Sequence, residues 1–474
     1  MKRVRITAAM VLILLVICGC VSQQTIQQDL KYARLAAFKE WTNQNEQKPG
    51  EGIVIGGTLS LRKALELAIA NNRNLKIAVE EKNIAMGRTL EAYGEILPNV
   101  ALNGNYTRQD ADGADYKGSF VQTTQRNIYA GSVTVTQPLY RGGLGKAALR
   151  ASQYYDVLTG ENIRNAVQDT IYRTTKAYNE VLLVQEQLKV TQTYADLAEA
   201  HMNNVETKRR FGTASDFNVL RSQVELSNAR TELISFQNKL KLARTSLLNI
   251  IGISQESRIA LSDHLEYTPL TVSEEGEVRK AFLNRPDLAA AELTVRLQEE
   301  SLNKAYSRYW PQINAFYNHS LEKPNHYYGK KNDCDDAWAA GIDISLPIFD
   351  GLKREGRIAQ ERSLLKQRNI GLIDARENVI LEIKNAVLSL HDAEELVDVQ
   401  KLTMKKAQEG LRLAEVGYRE GTLDQVSVLD ARAALTQAQL LYYQSLYGHT
   451  IARLNLHKAA GILSYDEQNP QKVN

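Results

Sequence analysis

Cysteine is nearly absent from this chain: three in 474 residues, at positions 18, 20 and 334. That excludes a disulfide-stapled scaffold and a cysteine metal cluster. Proline is sparse, with nine residues, so little interrupts long helices. Neither sign of charge dominates, since 58 Lys and Arg face 55 Asp and Glu, for a net +3. The basic field that favours nucleic acid is missing. The seven His form no i, i+4 pair in a metal-site setting, and no nucleophile–base arrangement is visible. The glycine run Gly142–Lys146 fails as a phosphate loop, because Tyr140 and Ala147 stand where Gly and Ser or Thr are needed. Asp333–Asp336 lacks calcium-loop spacing. Five Met give no thioether path for soft metals. The expectation is a non-enzyme without metal or cofactor.

What is present begins at the N-terminus. Lys2, Arg3 and Arg5 precede an apolar run from Ala8 to Cys18, too short to span a membrane and laid out as a secretory leader. Ile17-Cys18-Gly19-Cys20 resembles a bacterial lipobox. The resemblance implies cleavage before Cys20, lipid on its thiol, and a leader of residues 1–19. The 58 basic residues then fall to 55, equal to the acidic ones, and no in-chain disulfide can form. Val21 and Ser22 lack the acidic residue that retains many such lipoproteins at the inner membrane, which points to the outer one. Residues 20–57 read as a loosely ordered, lipid-anchored arm, and residues 462–474 as a frayed tail.

The body reads as a tandem duplication, 58–252 and 275–461, joined by a linker over 253–274. FGTASDFNVL at 211–220 matches EGTLDQVSVL at 420–429, 209 residues apart. The same shift takes Pro138 to Pro347 and Gly252 to Gly461. Each copy predicts a helix (Leu59 to about Ile96; Glu275 to Tyr309, broken at Pro286), two strands, then a long helical hairpin reversing at Gly212 or Gly421. The last helix carries two adjacent 3-4 seams, one through Val428, Ala431, Leu435 and Ala438, the other through Leu429, Ala433, Thr436 and Leu440. Two seams want a neighbour on each side, as in a ring of helices. His449 falls on the first seam as a satisfied packing residue, and His391-Asp392 reads as surface.

The strands are expected at about 99–109, 128–138, 311–320 and 337–347, with polar loops at 110–127 and 321–336. Each alternates apolar and polar residues over a length that fits a tilted membrane strand. Four strands cannot close a barrel, and open edges in lipid cost several kcal/mol per unpaired group. Several chains sharing one barrel would resolve this.

With the paired Pro-marked strand boundaries and the two Gly-turn motifs, the chain resembles the TolC family of outer-membrane efflux proteins, in particular its lipoprotein members. The resemblance implies a mainly α fold with membrane β: a homotrimer whose helical hairpins form an α-barrel and whose strands form a 12-stranded β-barrel. It implies a passive conduit for efflux or type I secretion, spanning the outer membrane lipid and the periplasm. Its partners would be a periplasmic adaptor and an inner-membrane pump, with no nucleic acid. Adaptor contact would open it at the turns Gly212, Thr213, Gly421 and Thr422. Asp430 matches an acidic ring position at the pore aperture and Tyr418 a bridging aromatic. Ser427 and Asn218 stand where the family often has Asp, and Leu423 where it often has Arg. The rival readings are a lipid-anchored, periplasm-spanning structural coiled-coil protein without a pore, and a periplasmic adaptor. Neither needs duplicated amphipathic strands.

The lipobox sets the first test. Mass spectrometry of the mature N-terminus should show a lipid-modified Cys20; a start elsewhere, or a bare thiol, rejects it.

Overall fold

The computed structural model describes residues 23–47, 58–108, 127–255, 257, 259–323 and 334–464. Cys20 and the loop residues 109–126 and 324–333 lie outside them. The chain separates into two compact units, residues 1–58 with 253–260 and residues 59–252 with 261–474.

In the first unit, α1 spans Gln23–Gln47. The expected loose arm is therefore helical over this stretch. No Pro or Gly falls between Gln23 and Gln47, and Gln, Leu, Lys, Ala and Glu favour the helix. Its residues 27–40 are all exposed.

The second unit runs the same plan twice. The first pass is α2 (Leu61–Asn71), α3 (Arg73–Gly94), β1 (Asn99–Arg108), β2 (Asn127–Arg141), α4 (Leu144–Arg210) and α5 (Asp216–Ile251). The second is α6 (Glu274–Asn284), α7 (Pro286–Tyr306), β3 (Gln312–Lys323), β4 (Asp335–Ser345), α8 (Lys353–Arg419) and α9 (Gln425–Ala459). Both α4 and α8 have 67 residues, about 100 Å at 1.5 Å per residue.

The backbone repeats with the sequence. Positive φ occurs at Gly142, Gly143, Gly212 and Gly252, and again at Gly351, Leu352, Gly421 and Gly461, each 209 residues on. Leu352 is the non-glycine member of this set, at φ 66°. Of the eleven buried positions on α8, nine fall 209 residues after a buried position on α4.

The single helix expected from Leu59 to Ile96 is broken at Asn72. The Asn72 carboxamide accepts the Leu75 N–H (3.1 Å) and donates to the Ile250 carbonyl (3.1 Å). A short polar side chain thus caps α3 and fastens the break to the end of α5. Arg285 marks the matching break between α6 and α7. Its guanidinium holds Asp287 (2.6 Å), Glu382 (2.5 Å) and the Ala459 carbonyl (3.2 Å). A Cβ on Gly252 would lie 2.9 Å from the Asn71 carbonyl oxygen, and one on Gly461 would lie 2.8 Å from the Arg285 nitrogen. These two glycines let each hairpin end press against the break in the shorter helices.

The four long strands make one antiparallel sheet in the order β1-β2-β3-β4. Val100 faces Val135, Leu102 faces Val133, Val135 faces Tyr317 and Tyr317 faces Ala340, so apolar side chains share one surface. Tyr106 and Tyr129 pack there at 5.0 Å between ring centres, and Tyr317 and Trp338 at 6.4 Å. The other surface carries Asn103 opposite Ser132 and Asn314 opposite Asp343. β2 does not stop at Pro138 but runs to Arg141, through a register shift between Pro138 and Tyr140. A residue without an N–H is accommodated at such a bulge. β4 begins at Asp335, inside the stretch expected as loop, and Asp336 lies 3.0 Å from His319.

α9 packs against both α8 and α4, as two seams require. His449 is buried on its seam, edge-on to Tyr267 at 4.9 Å. It is not satisfied, however: neither ring nitrogen has a hydrogen-bond partner, and Glu394 stands 3.9 Å away. Burial, and then Arg453, hold its pKa below the ordinary histidine value. No helix among the described residues is long and apolar enough to cross a membrane.

Two alanine substitutions separate backbone strain from packing. Gly212→Ala, whose Cβ meets nothing within 4 Å, should cost only the left-handed penalty, about 1–2 kcal/mol. Gly252→Ala must also displace the Asn71 backbone, adding about 1–3 kcal/mol of overpacking. Thermal unfolding should show the larger loss for Gly252→Ala; equal losses would overturn the close approach.

Candidate functional site at the helix turns

Each hairpin reverses through the same hydrogen-bonded cap. The Gly212 N–H donates to the Arg209 carbonyl (2.8 Å) and the Thr213 N–H to the Lys208 carbonyl (2.9 Å). The Gly421 N–H donates to the Tyr418 carbonyl (3.3 Å) and the Thr422 N–H to the Gly417 carbonyl (2.9 Å). This is the glycine-dependent C-terminal cap of a helix, and it needs the positive φ of 72° at Gly212 and 75° at Gly421. The Thr213 and Thr422 hydroxyls return to the same carbonyls, at 2.9 and 3.1 Å.

The following helices are capped in parallel. Ser215 Oγ accepts the Asn218 N–H (3.3 Å), and the Asp424 carboxylate accepts the Ser427 N–H (2.9 Å) and hydroxyl (2.7 Å). The Ser427 bonds hold Asp424 below the usual carboxylate range. Asn218 and Ser427 are thus one position in two repeats, the third residue of a capped helix, and both are half-buried.

The structure joins Tyr418 to the other hairpin. Lys208 on α4 donates to its hydroxyl (3.1 Å), with the ammonium 4.9 Å from the ring centre. Asp430 is exposed one turn further along α9 than Ser427. Its charge, after the larger effect of burial, helps raise the pKa of Glu225 on α5, and Arg432 opposes this.

A second set of contacts beside these was not anticipated. Gln425 Nε2 lies 2.8 Å from His201 Nε2 and donates to the Ser222 hydroxyl (3.2 Å), so α9 is tied to α4 and α5 together. Tyr194 donates to the Glu225 carboxylate. Arg432, with a largely buried side chain, donates to Glu415 (3.2 Å). Burial lowers the pKa of His201, and Arg432 and Lys208 lower it further. Periodicity gave no sign of this set, because its contacts join non-equivalent positions. Lys208 corresponds to Gly417, not to Tyr418, and His201 corresponds to Gly410. The outcome is a polar clasp between two hairpins, made of bonds that a small displacement would break. Among the described residues no group of three or more His, Cys, Asp or Glu is placed to hold a metal.

The family profile described as outer membrane efflux protein matches residues 64–253 and 278–462. The chain is 23% identical over 396 residues to the cobalt-zinc-cadmium resistance protein CzcC of Cupriavidus metallidurans, covering 81% of this chain and 86% of that one. It is 22% identical over 436 residues to the outer membrane protein TolC of Escherichia coli, covering 87% and 85%. The solved Campylobacter jejuni CmeC outer membrane channel superposes with a TM-score of 0.75 at 14% identity, over 86% of this chain and 88% of that one. The two matched segments coincide with the two passes of the fold, and on that basis the chain belongs to the outer membrane efflux protein family.

Proposed function

We propose that the protein is the outer-membrane channel of a tripartite efflux or type I secretion system, a passive homotrimeric conduit anchored by lipid on Cys20. The observation that carries this reading is the four-stranded sheet, apolar on one surface, polar on the other, and open at both edges. Three copies edge to edge would supply twelve strands and leave no unpaired backbone in lipid. A coiled-coil scaffold has no use for such a sheet. The long hairpins would cross the periplasm, with their turns toward an adaptor and an inner-membrane pump. Around Gly212, Thr213, Gly421 and Thr422 the exposed Phe211, Phe217 and Leu423 offer apolar contacts to that adaptor. Tyr418, Ser427, Asn218 and Asp430 would surround the aperture. The clasp through Lys208–Tyr418 and His201–Gln425 would hold it shut until adaptor contact pulls the hairpins apart.

Planar-bilayer recording tests the conduit. Purified protein should form cation-preferring channels, and Asp430→Asn should reduce that preference, most at low salt where three converging carboxylates are least screened. Absence of conductance would favour the scaffold reading, and unchanged selectivity at every salt would place Asp430 outside the pore.

The clasp has its own pH dependence. His201 has a depressed pKa, so its stabilising effect is complete above the ordinary value of about 6.5 and is lost as pH falls from there through the folded value. Glu225, raised by burial, opposes this only as pH climbs past the ordinary carboxylate range. Open probability should therefore rise between pH 7 and pH 5, and His201→Gln should flatten that rise. A slope unchanged in His201→Gln would remove His201 from the clasp.

A further inference from the structure

Two glycines face each other near one end of the sheet, Gly104 on β1 and Gly131 on β2. Counting by twos from Val100 and Leu102 places both on the apolar surface, between the Leu102–Val133 pair and the Tyr106–Tyr129 pair. That surface therefore has a gap where a row of side chains is due. Glycine inside a strand weakens it and often marks a close approach. Elsewhere the sheet covers such a gap. On the polar surface the Phe316 ring lies 3.2 Å from where a Cβ on Gly341 would stand, directly across the register. A Cβ on Gly104 or Gly131 would meet nothing within 4 Å. Tyr106 and Tyr129 pack on each other, not on the glycines, and the Tyr106 hydroxyl donates to Asn127 (3.1 Å). A hollow of about 560 Å³ is left between the two glycines, the two tyrosines, Leu321 and Lys323.

The rim of this hollow is cationic. Lys323 on β3 stands opposite Tyr129, and Arg108 comes two residues after Tyr106 on the same surface. Both are exposed, and neither has an ion-pair partner among the described residues. Asp336, the acidic residue that shares this surface, is held by His319 (3.0 Å). Lys323 is one side-chain row beyond the glycines, about 7 Å along the strands. We infer that the hollow seats one acyl chain of a phosphate-bearing lipid, and that Lys323 and Arg108 hold its phosphate. The base of the hollow continues the apolar surface, the tyrosines sit at the height where such rings meet headgroups, and the cations lie just beyond them. The hollow spans β1, β2 and β3, so it is complete within one chain. It lies where β1 ends and β2 begins, at the end of the sheet away from the long helices, so the lipid belongs to the outer leaflet.

This inference rests on the reading that the apolar surface faces lipid. The test uses the full-length protein in detergent, with diphosphoryl lipid A as probe and the same lipid stripped of phosphate as control. Native mass measurement should find one firmly held lipid per chain, favoured at least about fivefold over the phosphate-free form. Arg108→Gln with Lys323→Gln should erase that preference and spare the phosphate-free lipid. Gly131→Val fills the hollow with a residue that strands favour, and should release both lipids. Cys334 also lines the hollow and is exposed. Its reaction with a maleimide should slow when the phosphorylated lipid is added, and should not slow in Gly131→Val. Equal retention of the two lipids by the wild type would mean annular lipid only and overturn the site. Retention unchanged by Gly131→Val would overturn the hollow. The double Gln variant alters exposed side chains alone, so the phosphate preference still decides if Gly131→Val fails to assemble. Protein that conducts in bilayers without the preference rejects the site alone; protein that stays out of bilayers rejects the lipid-facing sheet with it.

Discussion

Backbone hydrogen bonding at the sheet edges is the constraint on which the architecture rests. Among the described residues β1 and β4 each have one neighbour, so each presents a row of unpaired N–H and C=O groups. In water this is an aggregation hazard; beside hydrocarbon it is untenable, at several kcal/mol per group. The apolar surface carrying Val100, Val133, Tyr317 and Ile342 would also be exposed if the sheet stood alone. Among the described residues neither problem has a solution inside one chain, because no further strand flanks β1 or β4. In the proposed trimer one operation answers both, since edge pairing curls the sheet and turns the apolar surface to lipid.

In the proposed trimer the helical part would answer to the same need in another way. A helix 67 residues long has too much side to be covered by one partner. α9 carries two seams and meets α8 and α4; α5 meets α4 along its length, α2 near its C-terminal end and Gln425 near its start, and its Leu220, Ile234 and Leu242 stay exposed. The glycines hold this register. Gly212 and Gly421 allow the tight reversals, while Gly252 and Gly461 let hairpin ends sit against the breaks at Asn72 and Arg285. At Leu352 a side chain occupies a left-handed position that glycine fills at Gly143, so the joint from β4 into α8 is the more strained of the two.

At the turns the fold trades strength for reversibility. The contacts between hairpins are a lysine on a tyrosine, and a glutamine shared between a histidine and a serine. Each is worth on the order of 1 kcal/mol, against the continuous seams higher up the helices. In the proposed channel, a clasp of that size would hold a resting state and would yield to a partner that offers comparable contacts. Beside it, Asp430 and Arg432 act in opposite directions on the protonation of Glu225, and Arg432 also donates to Glu415.

Much of this was legible in the sequence, for reasons that are local or periodic. The duplication shows because 209-residue spacing is arithmetic. The strands show because side chains alternate with period two, and the reversals because glycine alone tolerates their φ. The capped positions Asn218 and Ser427 follow from that spacing. What the sequence left undecided was how the two repeats face one another. Arg432, His201 and Gln425 carry no periodic mark, and their contacts either join residues 203 and 224 positions apart or lie between helices whose rotation only packing fixes. The break at Asn72 was hidden because its partner, the Ile250 carbonyl, is 178 residues away. The helix at Gln23–Gln47 was missed for the opposite reason: helix propensity acts without any apolar stripe to reveal it. Sequence determined the elements and their repetition. Tertiary structure decided which of two equivalent helix faces is covered within the chain and which stays exposed, because burial depends on neighbours that no single stretch encodes.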